Sequence, residues 1–206
     1  MNKIKVLIAD DHAIVRTGLA SLLGTKKDIE VVGEARNGNE AVTKAQRLKP
    51  DVVIMDLVMP QKGGVAATME LREKLPSCKV LILTTFAISD DIARALDCGA
   101  TGAIMKSVSN ADLIAAIRST AEGKRIVSPD ITQMIAEDPP IPNLSGRQLQ
   151  ILESIARGLT NEEIARQFAI SPDSVKTHIT RLMSKIGAAN RTEAVSIAQR
   201  KQLLKI

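Results

Sequence analysis

The chain has 206 residues, 28 Lys and Arg against 23 Asp and Glu for a formal charge of +5, and two Phe with no Tyr or Trp. So few aromatics exclude the base-stacking platforms of single-strand and many RNA readers. Two Cys (Cys78, Cys98) and two His (His12, His178) exclude an ordinary Cys/His zinc site and a disulfide framework, so a reducing cytoplasm is expected. In chain order, short runs rich in Val and Ile occur at residues 4–9, 29–32, 51–55, 79–83 and 102–105. Between them lie stretches with helical spacing: Ile14, Gly18, Leu22; Ala41, Ala45, Leu48; Ile92, Leu96; then Leu113, Ala116, Ile117. Alternation of this kind predicts an α/β, doubly wound parallel sheet of five strands covered on both faces, and the expected arrangement for it is the flavodoxin-like order 2-1-3-4-5. Asp138-Pro-Pro-Ile-Pro-Asn143 cannot continue a helix and marks a boundary. Beyond it the strand texture stops and capping signals take over: Ser145 to Gln148, Thr160 to Glu163, Ser171-Pro172 and Thr192. These predict a small all-α domain of four helices. No apolar run reaches membrane-spanning length and residues 1–10 lack a signal-peptide layout, so no membrane partner is expected.

The charge is uneven. Residues 1–143 hold 18 basic and 18 acidic side chains, whereas residues 144–206 hold ten against five and carry the whole excess. A polyanion partner for the second part follows naturally, although a basic, inert domain has the same balance.

In an open parallel sheet, ligands bind beyond the carboxyl ends of the strands, where the strand order switches. Asp10 and Asp11 end the first predicted strand, Asp56 the third, Thr84 the fourth and Lys106 the fifth. Taken singly, each has a plainer explanation: Asp11 a helix cap, Asp56 a turn former, Thr84 a strand end, Lys106 a solvated charge. Taken together they form an oxygen-rich cluster suited to Mg²⁺ or Mn²⁺. A carboxylate there can attack phosphorus to give an aspartyl phosphate, with a Lys and a Thr holding the phosphoryl oxygens.

Asp10-Asp11, Met55-Asp56-Leu57-Val58-Met59-Pro60 with Gly64, Leu83-Thr84 and Lys106 resemble the receiver domain of bacterial two-component response regulators over about residues 3–123. The resemblance implies that Asp56 is the phosphoacceptor of a cognate histidine kinase. It implies Mg²⁺ (or Mn²⁺) at Asp11, Asp56 and the Val58 carbonyl, with Asp10 acting mostly through water and Thr84 and Lys106 contacting the phosphoryl group. One position departs: Ala103 stands where receivers usually carry Tyr or Phe.

From Pro172 to Ile186, Val175, Ile179, Leu182, Met183 and Ile186 form an apolar stripe. Thr177, Thr180, Arg181 and Ser184 lie opposite, with Lys176 on one flank and His178 and Lys185 on the other. The capped helix from Thr160 and the tight connection through Ile170-Ser171 give a helix-turn-helix layout. The segment 144–204 resembles the LuxR-type DNA-binding domain of the NarL/FixJ class through Ser145, Arg147, Gly158, residues 160–165, Ile170-Ser171, Val175-Lys176, His178, Lys185, Gly187 and Arg191-Thr192. That resemblance implies duplex DNA as partner, with Lys176, Thr177 and Thr180 facing bases, His178, Arg181 and Lys185 near phosphates, and Val175 at the groove edge. It also implies a fourth helix near residues 193–201 whose Ala194, Val195 and Ala198 pair two domains.

The expected organisation is a receiver domain at 1–123, a linker at 124–143 and a LuxR-type helix-turn-helix domain at 144–206. The expected function is a cytoplasmic, phosphorylation-controlled transcription factor, homodimeric when phosphorylated and not an enzyme. Two alternatives carry distinct tests. One is a DNA-binding regulator with a degenerate switch, motivated by Ala103. The other is a Mg²⁺-dependent enzyme acting on small phosphate esters, which leaves the basic domain unexplained and lacks a Gly-x-x-x-x-Gly-Lys-Ser/Thr loop.

Overall fold

A computed structural model of the chain describes residues 3–85, 89–141, 144–201 and 203–204. Pro142, Asn143, Gln202, Lys205 and Ile206, which fall in the expected linker and second domain, lie outside the described residues. The chain divides into two units, residues 1–139 and 140–206.

In the first unit, β1 (Ile4–Ala9), β2 (Ile29–Ala35), β3 (Val52–Met55), β4 (Lys79–Thr84), β5 (Gly102–Met105) and β6 (Ile126–Val127) form one sheet. All neighbours are parallel, in the order 2-1-3-4-5-6. The helices are α1 (Ala13–Gly24), α2 (Gly38–Leu48), α3 (Gly64–Lys74), α4 (Ser89–Asp97), α5 (Asn110–Ala121) and α6 (Pro129–Glu137).

Successive strand residues point to opposite faces, so two cores form. Leu7, Val53, Val80, Ile82 and Ala103 pack with α2, α3, α4 and α6 through Ala41, Leu71, Ile92 and Ile131. Val6, Ile8, Ile54, Leu81, Leu83 and Ile104 pack with α1 and α5 through Leu23, Leu113 and Ile117. Both faces are covered, which is why these strands read as continuous apolar runs.

The sheet has six strands where five were expected, and much of the expected linker belongs to the first unit. The reason lies in β5. A side chain at Gly102 would place its Cβ 2.5 Å from the Ile126 carbonyl oxygen, so only glycine admits the sixth strand. Ser128 N–H donates to Ala103 O at 3.0 Å, and Pro129 then starts α6. Ile131 is fully buried in the same core as Ala103.

The second unit comprises α7 (Gly146–Ala156), α8 (Asn161–Phe168), α9 (Pro172–Ile186) and α10 (Arg191–Arg200). Capping boxes close α7 through Ser145 and Gln148, and α8 through Thr160 and Glu163. Ser171 caps α9. Asn190, not Thr192, caps α10 by accepting from Glu193 N–H at 2.9 Å. Ile151, Leu152, Ile164, Val175, Leu182, Ala194 and Ala198 make its core.

Candidate functional site

β1 and β3 are neighbours, and the chain leaves β1 toward β2 on one side and reaches β3 on the other. The residues just past these strands therefore meet at the switch point. The Asp56 N–H donates to Ala9 O at 2.8 Å, which sets the end of β3 against the end of β1. Carboxylate oxygens of Asp10, Asp11 and Asp56 and a ring nitrogen of His12 all lie within 4.8 Å of one another.

Lys106, from the end of β5, reaches across this group. Its Nζ lies 2.6 Å from Asp10 Oδ2 and 3.0 Å from Asp56 Oδ2, and its side chain is 10% exposed. It is therefore not a solvated charge. Burial pulls the Lys106 ammonium down, but hydrogen bonds to Asp10 and Asp56 outweigh burial and hold its pKa above the usual lysine value. Burial pushes the Asp56 carboxyl up from the usual aspartate value, and the hydrogen bond from Lys106 offsets only part of that. Asp56 Oδ1 accepts from the Leu57 N–H at 2.8 Å.

Asp11 has no capping role. His12 holds the N-cap position of α1 and makes no side-chain cap bond. Asp11 Oδ1 is shut off from solvent and, among the described residues, has no hydrogen-bond partner, although His12 Nδ1 stands 2.8 Å away. Three carboxylates facing one ammonium and one imidazole gather acidic groups in a partly buried pocket. A carboxylate oxygen that lacks a hydrogen bond, set among the carboxylates of Asp10, Asp11 and Asp56, is what a hard divalent cation satisfies, so these residues fit Mg²⁺ or Mn²⁺.

The loop after β3 completes the rim. Val58 is 65% exposed there. Gly64 lies so close beneath that an added Cβ would stand 2.2 Å from Asp56 O. Thr84 is buried at the end of β4, and its carbonyl accepts from Lys106 N–H at 2.7 Å. Ala103 is fully buried.

Sequence reasoning gave His12 no role in the cluster; the structure leaves it 66% exposed at the start of α1 with a ring nitrogen beside the carboxylates. That reasoning missed Arg16 altogether. Arg16 donates from Nη1 to the carbonyls of Asp10 at 2.9 Å and Asp11 at 3.2 Å, and from Nε to Glu34 at 3.1 Å. The available signal was a cation in the first turn of a helix, where the dipole disfavours it.

In the second unit, Lys176, Thr177, Thr180, Arg181 and Ser184 are exposed along α9, and His178 and Lys185 are half-buried. Thr177 and Thr180 donate their hydroxyls to the carbonyls of Asp173 and Lys176, each at 3.0 Å. Lys185 Nζ lies 3.5 Å from Gln148 Oε1. Val175 is fully buried against the core and cannot line a groove edge. Ala194 and Ala198 are likewise fully buried, because α10 turns its small residues toward α7 and α9. They are unavailable for pairing two domains. Arg147 and Arg191 are internal ties. Arg147 stacks 4.2 Å over the Phe168 ring, and Arg191 donates to Asn161 Oδ1 and Leu159 O.

Residues 6–118 match the family model of the response regulator receiver domain, and residues 142–198 that of the bacterial regulatory proteins of the luxR family. Among relatives, response regulator protein VraR of Staphylococcus epidermidis and that of Staphylococcus aureus are each 41% identical over 206 residues, covering 98% of this chain and 99% of the relative. Among solved structures, response regulator ChrA of a heme-sensing two-component system is 36% identical, with 99% of this chain and 100% of that one covered and a TM-score of 0.60. RcsB, solved as two dimers bound to two parallel DNAs, is 25% identical, with 97% and 99% covered and a TM-score of 0.69. No helix among the described residues is long and apolar enough to cross a membrane. A parallel α/β unit with an acidic pocket at its switch point, joined to a helix-turn-helix unit and matched over nearly its whole length by such relatives, belongs to the LuxR-type response regulators, which are DNA-binding transcription regulators.

Proposed function

We propose that Asp56 is the phosphoacceptor of this regulator and that its phosphorylation tunes dimerisation and promoter binding in the cytoplasm. The carrying observation is the buried Asp56 carboxylate facing Lys106 and the orphaned oxygen of Asp11. An Asp56 oxygen attacks the phosphorus of a phosphohistidine on the cognate kinase. The P–N bond breaks as the P–O bond forms, and the leaving imidazole takes up a proton. Lys106 holds a phosphoryl oxygen with its ammonium, and Thr84 offers a hydroxyl from the end of β4. Asp11, Asp56 and the Val58 carbonyl would hold Mg²⁺, with Asp10 adding negative charge beside it. When bound, the cation neutralises the charge gathering on the phosphoryl oxygens. The chemistry is self-modification, with no turnover on small phosphate esters.

On α9, Lys176, Thr177 and Thr180 face bases, and His178, Arg181 and Lys185 lie toward phosphates. Both Thr hydroxyls donate within the helix, so they present lone pairs and methyl groups to the groove. A pairing surface on α10 falls to its exposed Thr192, Glu193, Ser196 and Gln199.

Incubation with acetyl phosphate and Mg²⁺ should add one phosphoryl group by intact mass, and chelation or Asp56→Asn should abolish it. Selection of duplexes from a random pool, with and without the donor, then reads the switch. Ala103, buried beneath α6, supports the second reading, a regulator that binds DNA independently of phosphorylation. Under that reading the selected sites and their affinities are the same in wild type and Asp56→Asn, with or without donor.

A further inference from the structure

Arg16 is the fourth residue of α1, and its side chain is 11% exposed. A half-buried cation in the first helical turn opposes the helix dipole and needs a compensating task. Its contacts supply one. A single guanidinium nitrogen donates to the carbonyls of both Asp10 and Asp11, the two residues by which the chain leaves β1 for α1. The Nε is held from the other side by Glu34, near the end of β2. The peptide planes of the acidic pair are thus fixed to the sheet edge by one planar fork. Those planes set the direction in which the two side chains leave the backbone, while Lys106 and the His12 N–H hold the Asp10 carboxylate itself and no capping bond holds that of Asp11.

We propose that Arg16 is a positioning residue for the divalent-cation site, acting through the backbone of Asp10 and Asp11. This rests on the reading of the acidic cluster as a cation site. Arg16 sets the carboxylates in convergent directions before the ion arrives, and its charge offsets part of their mutual repulsion. Lysine cannot replace it, since a point charge on a flexible stem does not bridge two carbonyls and a carboxylate at fixed angles.

The test is calorimetric titration of the unphosphorylated full chain with Mg²⁺ alone, for wild type, Arg16→Lys, Arg16→Gln, Glu34→Gln and Asp11→Asn. Each is measured at a temperature where circular dichroism shows the variant folded. Arg16→Lys should weaken Mg²⁺ binding about tenfold, the scale typical of residues that orient metal ligands. Arg16→Gln, which also removes the charge, should weaken it further. A role confined to stability predicts a lower melting temperature with an unchanged Mg²⁺ dissociation constant. Wild-type affinity in Arg16→Lys therefore overturns the proposal. If Arg16→Lys does not fold, Glu34→Gln decides in its place, with a smaller loss expected and no loss overturning the proposal. If wild type binds no Mg²⁺ and Asp11→Asn changes nothing, the cation-site reading itself fails, an outcome distinct from failure of Arg16 alone.

Discussion

At the residue scale, the loop carrying Val58 is held by close packing and by charge. Gly64 has no room for a side chain: its N–H donates to Leu57 O at 2.9 Å, and an added Cβ would meet Asp56 O at 2.2 Å. Gly64→Ala must displace the backbone that follows Asp56. We expect a loss of about 1–3 kcal/mol, as for other overpacked sites, together with weaker Mg²⁺ binding, measured by denaturant unfolding and by titration. The same loop is tied by charge, because Lys62 pairs with Glu70 on α3, and Lys74 pairs with Glu70 one turn on at 2.6 Å. Hydrogen bonds from Lys62 and Lys74 hold the Glu70 carboxyl at about 2, below its ordinary 4.5. A carboxyl depressed on folding contributes stability above its unfolded value and loses it as pH falls through its folded value. Glu70→Gln should therefore flatten the fall in melting temperature between about pH 4.5 and pH 2 while leaving the slope above that window unchanged.

At the element scale, β6 and α6 make residues 126–137 part of the first unit. Ile131 lies fully buried with Ala103, Ile82 and Ala95, and α6 is tied to the start of α4 by a hydrogen bond from Ser89 Oγ to Asp138 Oδ2 at 3.1 Å. Ile131→Ala should cost about 2–5 kcal/mol in the first unit, the usual range for emptying a buried aliphatic site. Hydrogen exchange should show residues 126–137 losing protection first, with the second unit unchanged. Uniform protection in the variant would show instead that α6 contributes little to the unit. This element was poorly legible because a two-residue strand has no periodicity to detect. Ser128-Pro129 carried the same start signal as Ser171-Pro172, and the prolines beyond Asp138 do fall at the division between the units, but residues 124–137 were read as linker because no long apolar run marks them. The five longer strands were legible from their continuous apolar runs, and Asp10, Asp56 and Lys106 from their places at strand ends. Arg16 was not, since a backbone carbonyl as hydrogen-bond partner leaves no trace in a sequence pattern. Val175, Ala194 and Ala198 were assigned outward roles through the family resemblance, whereas helical spacing had already put Val175 on the apolar stripe that the structure buries.

At the scale of the whole molecule, charge is partitioned by task. The first unit balances its acids and bases and concentrates three carboxylates at one pocket, while the second holds the net +5. That excess is not uniformly available to a polyanion. Arg181 is exposed on α9, whereas Arg191 is consumed by Asn161 and Leu159 O inside the unit. Removing either cation changes the net charge equally, so a purely long-range attraction predicts the same effect. Local contact predicts a difference. Arg181→Ala should weaken binding to all duplexes and reduce the slope of log affinity against log salt by about 1, because one fewer phosphate counterion is released. Lys176→Ala should in addition relax discrimination at one or two base pairs by about 1–3 kcal/mol each. Arg191→Ala should lower the unfolding midpoint of the second unit and leave the salt slope unchanged. Equal slopes in Arg181→Ala and wild type would move the phosphate contacts away from α9, and a reduced slope in Arg191→Ala would place its guanidinium at the DNA.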